Sequence, residues 1–118
     1  MSRFASQLNK DIYNNPFKID TSDFDSTNLE TLYLENGKDR VYKLLGVYIL
    51  KNARFGGKPI AIIDGYKVYL PKHLNNNVQS ILDDKELIQS VIAGKLGFKV
   101  EPYETLKGQF YSVKWLDL

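Results

Sequence analysis

The chain has no cysteine, and among its 118 residues it has one histidine (His73), one methionine and one tryptophan (Trp115). Without cysteine there is no disulfide framework, no thiolate metal site and no thiol nucleophile, and nothing points to an oxidising compartment. A single histidine rules out a histidine pair or cluster around a metal. Long apolar runs are missing too: the longest, Leu44 to Leu50, is about a third of what a bilayer span needs. The opening residues Met-Ser-Arg-Phe-Ala-Ser-Gln hold no apolar core of signal-peptide length. These absences predict a soluble intracellular protein.

Catalytic patterns are equally scarce. Gly56-Gly57 is followed by Lys58-Pro59, so it lacks both the Lys-Ser/Thr of a phosphate-cradling loop and the spacing of a dinucleotide fingerprint. Asp83, Asp84 and Glu86 read as helix-start charges beside the helix dipole. His73, just after Pro71, reads as a capping or surface residue. Asp20, Asp23 and Asp25 lack the glycine turn and terminal glutamate of a calcium loop. The expectation is a protein that is not an enzyme and uses neither cofactor nor metal.

What is present fits one ordinary globular domain: 43% hydrophobic and 25% charged residues on a chain long enough for one core and too short for two. The formal net charge of +2 hides a split. Residues 1–39 carry a net −3 and residues 40–118 a net +5, which makes the basic part the candidate binding surface. From Arg40 to Lys72 seven cations (Arg40, Lys43, Lys51, Arg54, Lys58, Lys67, Lys72) face a single acid, Asp64. Tyr42, Tyr48, Phe55, Tyr66 and Tyr69 are interleaved among them. Cations neutralise phosphate and planar rings stack on unpaired bases, so the mixture points to single-stranded nucleic acid.

Periodicity divides the chain into an N-terminal arm over 1–27 and a domain over 28–118. Phe4, Leu8 and Ile12 have helical spacing within an otherwise polar, turn-rich arm. Alternation at Leu29–Leu34 predicts an extra strand, closed by an Asn36-Gly37 hairpin turn. One long strand follows from Arg40 to about Asn52, with Gly46 as its bend, then a loop at Arg54–Lys58. A Pro59–Ile63 strand, an Asp64-Gly65 turn and a Tyr66–Leu70 strand form the next hairpin. Helical spacing then runs through Leu74, Val78, Ile81 and Leu82, and after a cap at Asp83 or Asp84 through Leu87, Ile88, Val91 and Ile92, closed by Gly94 and Gly97. Strands Phe98–Tyr103 and Gln109–Leu116 flank a turn at Thr105–Gly108. Counted from Arg40, the order predicts a mainly β fold: an OB-fold-like five-stranded barrel with its helix between strands three and four.

In such a barrel the second and third strands, with the loops after strands one and four, form the usual oligonucleotide face. The strand period puts Lys67 and Tyr69 outward and Val68 and Leu70 inward. On the last strand Phe110, Ser112 and Lys114 face outward because Lys114 is costly to bury, while Tyr111, Val113 and Trp115 face the core. Lys43 lies opposite Tyr42, and the face of Tyr48 past the bend stays open. With Lys51, the loop residues Arg54, Phe55 and Lys58, and Lys107 of the second loop, these make the expected contact set. No basic recognition helix exists for duplex DNA, since residues 83–97 carry three acids and two lysines.

The stretch Gly57-Lys58-Pro59-Ile60-Ala61-Ile62-Ile63-Asp64-Gly65-Tyr66-Lys67-Val68-Tyr69-Leu70-Pro71 and the ending Gly108-Gln109-Phe110-Tyr111-Ser112-Val113-Lys114-Trp115 carry a resemblance over most of the chain. They are similar to the small single-stranded DNA-binding proteins of siphophages that infect lactococci and other lactic-acid bacteria. The resemblance implies a variant OB-fold in the host bacterial cytoplasm. It would coat phage DNA during replication and recombination beside a recombinase or annealing protein. Cellular single-strand binders usually end in an acidic tail; Trp115-Leu116-Asp117-Leu118 carries one acid, so recruitment through such a tail is not expected. Self-association into a homo-oligomer is expected on avidity grounds. Two alternatives share the composition: a protein-interaction or virion module whose tyrosines line an interface, and an RNA chaperone.

Overall fold

The computed structural model describes residues 17, 19–52 and 56–118, the side chains of 51, 52 and 56 excepted. Among the described residues seven strands form two sheets. In the first, β1 (Asp25–Asn28), β5 (Tyr66–Tyr69), β4 (Gly56–Ile63) and β3 (Gly46–Asn52) lie side by side in that order; in the second the order is β2 (Val41–Lys43), β6 (Leu96–Thr105) and β7 (Gly108–Asp117). All pairings are antiparallel except that of β1 with β5. The mainly β class expected from the sequence is what is observed.

The expected long strand is instead two strands in two sheets. Leu44 N–H donates to Leu96 O of the second sheet at 3.0 Å, and the next residue, Leu45, donates to Ile62 O of the first at 2.8 Å. The chain thus changes partner within one dipeptide, next to the glycine expected to bend it. An ideal Cβ on Gly46 would meet Phe17 and Ile19 at 3.1 Å. Gly46 is therefore a contact point as well as a bend.

The expected extra strand at Leu29–Leu34 is corrected to a helix, α1 (Leu29–Asn36). Asn28 caps it by accepting from Thr31 N–H at 2.9 Å, and the buried Leu29 and Leu32 lie three residues apart, on one helical face. Gly37, at φ 83°, ends the helix with its N–H on Tyr33 O, so Asn36-Gly37 is a helix terminus and not a hairpin turn. α1 packs on β1, β6 and β7, with the Tyr33 ring 5.5 Å from that of Tyr111. Among the described residues no ladder joins β5 to β7, and β1 occupies that edge of β5.

Three further differences concern boundaries. β4 begins at Gly56, which makes Lys58 a strand residue opposite Leu50 and leaves Arg54 and Phe55 outside the described residues. The helical region is a 3-10 turn (Lys72–Leu74), α2 (Asn75–Asp83) and α3 (Lys85–Ile92). Asp84, not Asp83, caps α3, with Glu86 and Leu87 N–H donating to its Oδ1 at 2.9 and 3.3 Å. Gly94 closes that helix at φ 73°, whereas Gly97 belongs to β6. Of the arm read over 1–27, residues 1–16 and 18 lie outside the described residues; Phe17 is buried and Asp25–Thr27 belong to β1.

One core serves both sheets. Val47, Ala61 and Val68 from the first meet Phe98 and Val100 from the second, with Leu29 and Leu32 of α1 and Val78 and Ile81 of α2. Phe98 is fully buried, 5.5 Å from the Tyr42 ring and 6.0 Å from that of Trp115. Among the described residues no helix is long and apolar enough to cross a membrane.

Two substitutions test this packing in urea denaturation. At Gly97 an ideal Cβ would stand 2.6 Å from the Tyr42 carbonyl oxygen, so Gly97→Ala is expected to cost about 1–3 kcal/mol, as overpacking does. Asp84→Ala, which removes the α3 cap, is expected to cost about 1 kcal/mol. Unchanged midpoints in either variant would contradict the contact it probes.

Candidate nucleic-acid interface

Strand register sorts the expected contact residues onto two outward faces. On the first sheet Tyr48, Ile60 and Tyr69 stand in one cross-strand row. Lys58 lies on the same face opposite Leu50, and Lys67 opposite Ile62. Tyr69 and Lys58 are exposed and Tyr48 and Lys67 half-buried at its margins, the central Ile60 and Ile62 are buried, and Val68 and Leu70 point into the core. The two-residue alternation of β5 is thus observed as expected. Gly46 and Ile62 share a row at the far side of this face, where Phe17 and Ile19 lie over the glycine.

The start of β4 is tied down from below. Asn75 Nδ2 donates to Gly57 O at 3.1 Å and so anchors the strand that carries Lys58 to the first turn of α2. Lys51 lies in β3 opposite Gly57, and its side chain is outside the described set together with Arg54 and Phe55.

On the second sheet the outward face carries Lys43 on β2, Lys99, Glu101 and Tyr103 on β6, and Phe110, Ser112 and Lys114 on β7. Phe110 and Lys114 are exposed, and Tyr111, Val113 and Trp115 pack against the core, as the alternation of β7 predicts. Leu106-Lys107 form the hairpin tip, where Lys107 N–H donates to Thr105 Oγ1 at 3.1 Å and Gly108 takes φ 124°. Lys43 and Lys114 therefore sit on a different sheet from Lys67 and Tyr69. The sequence alone presents them as one set.

Two ring contributors were not anticipated. Tyr103 is cross-strand from Phe110, their rings stacked with centroids 6.0 Å apart at 29°, and about 40% of each residue is exposed. The signal was present: a two-residue turn between Thr105 and Gly108 places 103 opposite 110. His73 is not a cap. Its Nε2 is hydrogen-bonded to Ser112 Oγ at 3.0 Å, and its ring meets Tyr103 edge-on at 6.3 Å. No local pattern predicts a partner 39 residues away.

Asp20 serves a turn: its Oδ1 accepts the Ser22 N–H at 3.0 Å, and bonds from the Ser22 backbone and hydroxyl hold its carboxyl below the ordinary aspartate value. Among the described residues no group of three acidic or histidine side chains converges as a metal site would.

Comparison with family models, with curated proteins and with solved structures finds no match to this chain.

Proposed function

We propose that this protein binds single-stranded DNA and coats it with little sequence preference during phage DNA replication and recombination, by phosphate neutralisation and base stacking. The observation that carries this reading is the outward face of the first sheet. It places Tyr48 and Tyr69 in one row, with Lys58 and Lys67 on either side. The two rings stand two strand spacings apart, about 9.5 Å, on either side of the buried Ile60; each offers a platform for an unpaired base, and flanking ammonium groups track the phosphates. A duplex hides its base faces, so this arrangement favours single strands.

Strand order supports the same reading. Read as one run, the two sheets give the order β7-β6-β2/β3-β4-β5, which can be mapped on an OB-fold with its first strand shared between the sheets and its closure missing where α1 stands beside β7. On that mapping β4 and β5 are the second and third strands, which in OB-folds hold the oligonucleotide. Lys58, Lys67 and Tyr69 lie on those strands. The resemblance of the β4–β5 segment to phage single-strand binders points the same way. Base-edge groups at fixed positions are not evident, which is why weak sequence preference belongs to the proposal.

Two measurements test it. Affinity for oligo-dT should fall steeply with salt, log K against log [salt] having a slope of about −0.7 for each phosphate neutralised; a salt-independent affinity would refute the proposal. Tyr69→Ala should weaken oligo-dT binding by about 1–3 kcal/mol, roughly 5- to 150-fold, with duplex of equal length bound far more weakly by both proteins. Competition with matched RNA separates the DNA reading from RNA chaperoning.

A further inference from the structure

We infer that the bound strand does not end on the first sheet but wraps over the His73 turn onto the outward face of the second, where Lys99, Lys114 and Lys43 take its phosphates. The inference rests on the single-strand reading above and extends it from β4 and β5 to a continuous path over the outward face of the second sheet, with Lys99 as a new contact. Three observations carry it.

The first is a repulsion. Lys99 and Lys114 are register partners on neighbouring antiparallel strands, so their side chains leave the same face with Cβ atoms about 5 Å apart. Lys43, opposite Gly97, is the diagonal neighbour of Lys99, at roughly 7–8 Å. On this face of the described strands the one acid is Glu101, opposite Ser112. Like charges set directly across a ladder disfavour the sheet. A polyanion running between them turns that cost into binding.

The second is the stacked and exposed Tyr103–Phe110 pair farther along the same face. Tyr103 is four residues from Lys99 on β6, about 13 Å at strand rise. The cation pair and the ring pair therefore lie along one line of the face, with Glu101 and Ser112 in the row between them.

The third is continuity. His73 follows Tyr69 by four residues, a reach of at most about 14 Å, and it touches both Tyr103 and Ser112. The 3-10 turn thus joins the ring row of the first sheet to that of the second, so that a strand leaving Tyr69 meets the next ring across the turn.

The test is the variant K99Q, measured by fluorescence anisotropy with two oligo-dT lengths. One is about 8 nucleotides, within the site size of a single OB fold, and one is about three times longer. The short oligomer should bind as it does to the wild type. The long one should bind about fivefold more weakly, its salt slope reduced in magnitude by about 0.7 for one lost phosphate contact. End-to-end energy transfer on the long oligomer should fall as the wrap is lost. Thermal midpoints should not drop, since the change relieves repulsion, and this keeps misfolding distinguishable. Wild-type affinity and slope for the long oligomer would overturn the wrap, and so would equal weakening of both lengths. If wild-type protein binds neither length, the single-strand reading itself falls.

Discussion

The structure depends on a reassignment of backbone hydrogen bonds at Leu44-Leu45. An extended chain must give every buried N–H and C=O a partner, and here one dipeptide satisfies that demand by turning to β6 with one residue and to β4 with the next. The two sheets are thereby fixed to each other through a covalent segment and not through side-chain packing alone. The shared core follows from it, since the inward faces of β3–β5 and of β6–β7 are obliged to meet. The outward faces of β5, β6 and β7 follow as well, whereas β4 is buried on both sides, Ile60, Ala61, Ile62 and Ile63 all lying inside.

Much of this organisation could be read from residue order, and the reasons are local. The β4–β5 hairpin is announced by Asp64-Gly65 between apolar runs, and Gly65 takes φ 81° there. In β5 and β7 the two-residue alternation sets lysine or phenylalanine against valine and tryptophan, so the outward faces of Tyr69, Phe110 and Lys114 are fixed before any coordinates. The α2 and α3 stripes are likewise visible, because a period of 3.6 with caps has no strand equivalent.

What stayed hidden depends on distant partners. Leu29–Leu34 satisfies a strand period and a helix period at once, and the Asn28 cap and the tertiary fit of Leu29 and Leu32 decide for helix. The partition of Arg40–Asn52 between two sheets depends on the carbonyls that meet Leu44 and Leu45, which lie 17 residues or more away along the chain. The separation of Lys43 and Lys114 from Lys67 and Tyr69 is a consequence of that partition. His73 is the exposed residue expected, but its hydrogen-bond partner stayed hidden for the same reason, lying in the last strand.

β1 bears on how many copies of the molecule can crowd together. An unpaired strand edge is a template for cross-β association, and proteins blunt such edges with short, polar or charged strands. By lying parallel to β5, the four residues Asp-Ser-Thr-Asn replace a tyrosine-rich rim with a brief hydrophilic one. That rim is a poor seed for fibrils, which disfavours amyloid-like stacking of neighbouring copies along this margin.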